Sequence, residues 1–212
     1  MNSSRVPRWL KMGFTGWVAA WVPFYWAYYG PQNFLWFCDI GNFVIATALW
    51  TESRLLFSWQ AVSLLLVQTA YSIDLMWRLV LGFHLFGGTE YMFNPAIPLG
   101  IRLLSLFHVA NPPLLVWGLW RLGYDRRGWI FQTVTAWVVL PACFFFFGPD
   151  KDINWVWGPF DKLQHVLPPG LYFSACMIGY PLLVYLPSHL LLSLLSRRFR
   201  SASGREQPQR TV

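Results

Sequence analysis

The chain has 212 residues and a mass of 24.7 kDa, room for one domain or a small two-lobed one. Hydrophobic residues make up 56 % of it, aromatic residues 19 % and charged residues 12 %, whereas an average soluble domain carries about 25 % charged residues. These figures exclude a disordered chain, a coiled coil, a disulfide-stapled secreted module and a soluble globular enzyme, and they describe an all-α integral membrane protein.

Residues 1–12 read as a basic cytoplasmic arm. Six stretches then approach the roughly 20 apolar residues that a helix needs to cross the hydrocarbon core: Gly13–Tyr29, Phe34–Trp50, Leu55–Trp77, Ile101–Trp120, Gly128–Phe147 and Gly170–Leu195. Runs such as Val138–Phe147 do not alternate apolar with polar, which argues against a barrel. The first stretch lacks a small-x-small cleavage site and reads as a retained helix. Residues 196–212 read as a basic, disordered tail. With six crossings, twelve of the sixteen Lys and Arg fall on the side of the termini and four on the other. Positive charge stays inside, so both termini are expected in the cytoplasm, in a bacterial inner membrane. The net charge of +7 sits mostly in the terminal arms and fits anionic lipid as partner rather than nucleic acid.

Ionisable groups are costly inside a bilayer and need a reason. Cys38 and Asp39 lie near the outer end of the second stretch and His108 near the outer end of the fourth. At 1.5 Å per residue the thiol and imidazole are about 6 and about 9–10 Å deep, so they share a layer if the two helices are neighbours. Asn42 and Asn111 each follow three residues after Asp39 and His108, on the same helix faces. A thiol, an imidazole and an orienting carboxylate or amide make an activated nucleophile, with Asp39, Asn42 or Asn111 as the orienting group. Asp74 and Arg78 are spaced for a helical ion pair, or Arg78 clamps a lipid phosphate. Cys143 and Cys176 read as small buried residues, and His84, His165 and His189 as interfacial ones. No spacing of His, Cys, Asp and Glu suggests a metal, and no cofactor is expected. Pro23, Pro112, Pro113, Pro141, Pro181 and Pro187 interrupt helices and free carbonyls that neighbours must satisfy.

The segment Phe37-Cys38-Asp39-Ile40-Gly41-Asn42, followed by Ser105-Leu106-Phe107-His108, Gly123-Tyr124, Ile153-Asn154-Trp155-Val156-Trp157-Gly158 and Pro168-Pro169, resembles a family of multi-span membrane proteins. Its bacterial members are mostly of unknown role, and its eukaryotic members include a cysteine-dependent phospholipid transacylase. The likeness runs as short matches from Phe34 to Pro169. It implies Cys38 as the acyl-accepting nucleophile, His108 as its base and Asn154 as a substrate-positioning group, with membrane lipids as partners. Two other readings stand beside it. One is a non-catalytic subunit packed against partner membrane subunits. The other is a small proton-coupled carrier with a relay through Asp39, His108 and Asp74.

Overall fold

A computed structural model describes residues 5–159 and 165–203. Part of the tail read from residue 196 onward, 204–212, lies outside the described residues. The described chain is all helical. The α-helices are α1 (Arg8–Tyr29), α2 (Phe37–Thr51), α3 (Arg54–Leu81), α4 (Leu99–Leu104), α5 (Phe107–Leu122), α6 (Gly128–Phe146), α7 (Pro169–Gly179) and α8 (Leu186–Ser203). Short 3-10 turns occupy Pro31–Leu35, Glu90–Phe93 and Ile153–Trp155, and a π-helical turn, Tyr180–Tyr185, joins α7 to α8.

Four helical segments are long and apolar enough to cross a membrane: Arg54–Leu81, Leu99–Leu122, Gly128–Phe146 and Pro169–Ser196. Helix α2 is apolar but has only 15 residues. Helix α1 has 22 residues, is rich in Trp and Tyr, and carries Arg8 and Lys11. Its helical start at Arg8 takes up part of the stretch read as an arm. There Val6 is fully buried and Lys11 pairs with Glu52 at 2.8 Å.

Helix α3 is the hub and packs on α2, α5, α6 and α8. Ser53 starts it by accepting the Leu56 N–H, and Gly82, at φ +84°, ends it. Its buried residues Phe57, Gln60, Ala61, Leu64 and Gln68 recur at the three- and four-residue spacing of one helix face. Small residues let neighbours approach, as is usual between membrane helices. The ring of Phe57 fills the space over Gly118, and a Cβ at Gly128 would stand 2.7 Å from the Ser58 backbone.

Three clusters make the interior. Ile45, Leu49, Phe57, Leu64 and Leu115 lie between α2, α3 and α5. Ala61, Val62, Ala136, Leu140 and Tyr185 join α3, α6 and the last helix. Trp21, Tyr25, Ile101 and Phe107 join α1 to α4 and α5. The outward faces carry large apolar residues such as Val80, Trp120, Phe146 and Leu183, all more than two-thirds exposed, which suits a hydrocarbon surrounding.

The prolines leave the expected marks. Pro112 cannot bond the His108 carbonyl, and the Ser72 hydroxyl, which donates to the Gln68 carbonyl at 2.7 Å, also reaches that oxygen at 3.4 Å. Pro181 leaves the Met177 carbonyl free in the same way, and the Trp137 indole donates to it at 3.1 Å. The interruption of the fourth segment falls at Ser105–Leu106, upstream of the prolines, where the amides of Ser105, Leu106, His108 and Val109 bond three residues back instead of four.

Candidate functional site: a thiol and carboxylate beneath the end of the bundle

The chain leaves α1 through Gly30, at φ +84°, a conformation that costs glycine little. It makes one 3-10 turn and enters α2 at Phe37, so Cys38 and Asp39 occupy the first turn of α2. Asp39 is 2 % exposed. Its Oδ2 accepts from the Asn33 amide at 2.7 Å, and its Oδ1 accepts from the Cys38 thiol at 3.8 Å. A buried carboxylate is tolerated when its oxygens have donors, and the turn before the helix supplies one.

The first amides of a helix have no partner within it. That of Phe37 donates to Asn154 Oδ1 at 2.9 Å, while Asn154 Nδ2 donates to the Leu35 carbonyl at 2.8 Å and contacts Cys143 Sγ at 3.5 Å. The Asn154 carbonyl accepts from the Tyr180 hydroxyl at 2.8 Å. Asn154 therefore clasps the start of α2 to the 153–155 turn, with both atoms of its side-chain amide engaged inside the protein.

A second group of polar side chains lies across from this turn. The Tyr25 and Ser105 hydroxyls are 2.5 Å apart and those of Tyr71 and Tyr91 2.8 Å. The first pair ties α1 to the α4–α5 junction and the second ties α3 to the 90–93 turn. Cys38 packs against the cluster of Trp21, Tyr25, Ile101 and Phe107. The His108 ring is stacked between Phe107 at 4.1 Å and Tyr71 at 4.4 Å, and its Nδ1 is 2.7 Å from the Ser105 carbonyl. A carbonyl only accepts, so Nδ1 carries the proton and Nε2 keeps its lone pair. Among the described residues no hydrogen bond joins Cys38 to His108; the thiol faces Asp39 and the imidazole is anchored on its own helix.

One turn deeper, Asn111 Nδ2 donates to Asn42 Oδ1 at 2.9 Å, and both residues are fully buried. This bond couples α5 to α2 directly below the thiol layer.

Asp74 and Arg78 do not pair with each other among the described residues. Asp74 accepts from the Phe86 and Gly87 amides at 2.7 and 3.3 Å and from Thr89 at 2.5 Å, with His84 Nδ1 at 3.2 Å. The loop after α3 folds back over the carboxylate through His84, Phe86, Gly87 and Thr89 and takes up its acceptor capacity. Arg78 is left over the Phe93 ring at 5.3 Å, and Arg102 donates to the adjacent Met92 carbonyl at 3.0 Å. Two guanidinium groups thus converge on the 90–93 turn.

The remaining candidates lie apart. Cys143 is buried and Cys176 half-buried. His189 Nδ1 is 2.8 Å from the Tyr124 hydroxyl at the opposite end of the bundle, and His165 is exposed. No group of three or more His, Cys, Asp or Glu is placed to hold a metal ion among the described residues. The sequence reading passed over Asn33, Tyr25, Tyr71 and Tyr91. In so aromatic a chain tyrosines read as interface residues, and Asn33 sits in a loop with no periodic signal. No family model, no curated protein and no solved structure matches the chain.

Proposed function

We propose that this protein is a six-span membrane protein of a bacterial inner membrane, with both termini cytoplasmic, that transfers acyl groups between membrane lipids through Cys38. The observation that carries this reading is the half-buried thiol donating to a carboxylate that is itself held by an amide, Asn33–Asp39–Cys38, in the first turn of α2. The twelve-to-four distribution of positive charge supports the orientation.

In the first step the Cys38 sulfur attacks the ester carbonyl of a phospholipid. The thiol proton passes to Asp39, the C–S bond forms, and the carbon–oxygen bond to glycerol breaks. The proton on Asp39 then goes to the departing alkoxide, giving a lysolipid. In the second step an acceptor hydroxyl attacks the thioester, the new ester C–O bond forms and the C–S bond breaks. His108, with its free Nε2 lone pair, takes the hydroxyl proton, which returns to the departing thiolate and restores the thiol. Arg78 serves the lipid phosphate, and Asn42, Asn111 and Asn154 hold α2 in place. Membrane lipids are the partners, and no cofactor takes part.

The test is intact-mass analysis of the full chain in liposomes of labelled phosphatidylcholine. An acyl adduct should form on the wild type and on Cys143→Ala and Cys176→Ala, and be absent from Cys38→Ala. Asp39→Asn should slow its formation about 10²-fold, the range of a lost general base. Equal labelling of Cys38→Ala would reject the reading and leave a packing role among partner subunits as the better account.

A further inference from the structure

Asp74 and Arg78 have the spacing of a helical ion pair, yet the loop after α3 has taken the carboxylate. Oδ1 accepts from the Phe86 and Gly87 amides, and Oδ2 from Thr89 and His84. These donors fill the roughly four lone-pair sites of a carboxylate, so Asp74 has nothing left for Arg78. The Arg78 guanidinium lies instead over the Phe93 ring at 5.3 Å, and the His84 ring meets that same ring edge-on at 5.5 Å.

A second guanidinium reaches this turn from another helix. Arg102 of α4 donates through Nη1 to the Met92 carbonyl at 3.0 Å, next in the chain to Phe93. The two arginines share a level. The Ser72 hydroxyl reaches the His108 carbonyl, and Arg78 lies as far beyond Ser72 as Arg102 lies before His108. Both side chains are half-buried, and the Nε–H of each is shut off from solvent without a hydrogen-bond partner. Among the described residues no ion pair reaches either one. Glu90, the carboxylate of the turn itself, is exposed, and its Oε1 lies 3.2 Å from where a Cβ on Gly87 would be.

A buried N–H without an acceptor costs free energy, and two like charges on one turn repel. An oxyanion held by both relieves both costs. A guanidinium matches carboxylate and phosphate alike. These two approach from separate helices, however, and a tetrahedral phosphate accepts from two directions at once, where a planar carboxylate is served by one fork.

We infer that Arg78 and Arg102 together hold a phosphate group against the 90–93 turn. Phe93 props the first guanidinium, and the Met92 carbonyl orients the second. Trp77, Leu99 and Leu103 beside them are exposed, and a mixture of Trp and Arg at the end of a bundle is typical of headgroup level. The inference rests on the acyl-transfer reading for the lipid as source of the phosphate, and it adds Arg102 to the part given there to Arg78. Binding of phosphate does not itself need Cys38.

The test uses the full chain in liposomes containing phosphatidylglycerol with a photoactivatable group on the headgroup. Crosslinks should concentrate on peptides carrying residues 78–93 and 99–105. Arg78→Gln should lower them about tenfold with Tm unchanged, the scale of a lost charge-assisted hydrogen bond. Arg102→Gln should lower them as far, with some loss of Tm because the Met92 carbonyl loses its donor. Arg78→Lys keeps the charge and should retain more crosslinking than Arg78→Gln. Arg126→Gln removes an exposed charge at the opposite end of the bundle and should change nothing. Inorganic phosphate and acetate are then added at equal ionic strength. Displacement by phosphate alone identifies a site open to free phosphate as well as to lipid, and displacement by neither confines the site to the headgroup; both results uphold the inference. Crosslinks that survive both Gln variants, that fall equally with Arg126→Gln, or that acetate displaces as well as phosphate does would overturn it. Crosslinks at the turn in wild type and Cys38→Ala, without any Cys38 thioester, would uphold the phosphate site and reject acyl transfer. A Cys38 thioester formed at full rate in both Gln variants, with no crosslinks at the turn in the wild type, would do the reverse.

Discussion

Asn154 lies in the left-handed region at φ +56°, next to Trp155 at +55° and two residues after Asp152 at +35°. Such a run is strained for residues other than glycine, and only over-determined surroundings maintain it. The side chain of Asn154 supplies that determination by serving the Phe37 amide and the Leu35 carbonyl together. Asn154→Ala leaves both of these backbone groups without their partner, at about 1–3 kcal/mol for each buried group. Thermal denaturation in detergent should show a clearly lowered Tm. Maleimide should alkylate Cys38 faster in the variant, because the first turn of α2 loses its clasp. An unchanged alkylation rate with a lowered Tm would separate Asn154 from the thiol.

At the level of elements, the turn between α5 and α6 is built on one carboxylate. Asp125 accepts from Arg127 Nη2 at 2.9 Å and Nε at 3.2 Å, stands 3.6 Å from Arg54, and its amide donates to Ser58 at 2.8 Å. Hydrogen bonding to the Arg127 guanidinium holds its carboxyl down to about 2 against the partial burial that opposes this. A carboxyl lowered in the folded state stabilises the fold above its unfolded value near 3.9, and this contribution is lost as pH falls towards 2. The Tm of the wild type should therefore drop between about pH 4 and pH 2, and Asp125→Asn should flatten that limb while lowering Tm at neutral pH. The long helical segments were legible from run length alone, because α3, α6 and the last helix are long and mostly apolar. The carbonyls freed by Pro112 and Pro181 were legible too, since a missing amide is written in the sequence. The break at Ser105–Leu106 was not. It lies six residues before Pro112, and no residue at the break marks it. The hydroxyl pairs Tyr25–Ser105 and Tyr71–Tyr91 were hidden for another reason: each joins two separate elements, and its geometry exists only after they pack.

Across the whole molecule, the interior keeps more polar groups than it pairs. Gln60 and Gln68 of α3 are each 1 % exposed, and neither has a partner for its amide nitrogen or oxygen among the described residues. Asn42 and Asn111 spend one polar atom each on their mutual bond and leave the other unpartnered. Unpaired buried groups destabilise, by about 1–3 kcal/mol each. Gln60→Met keeps the side-chain length and removes the penalty, so it should raise Tm in detergent. If Tm falls instead, the amide holds a partner essential to folding.

The wide turn at Tyr180–Tyr185 divides the last helix into two phases of a single helical wheel. One additional residue per turn rotates all that follows by about 100°. The upstream phase directs Tyr180 to the Asn154 carbonyl, and the downstream phase brings His189 to Tyr124. Removing one residue from this segment would realign the two halves and break one of these attachments while preserving the other. The number of residues between the attachments, more than their identity, is what sets how the two ends of the protein are tied together.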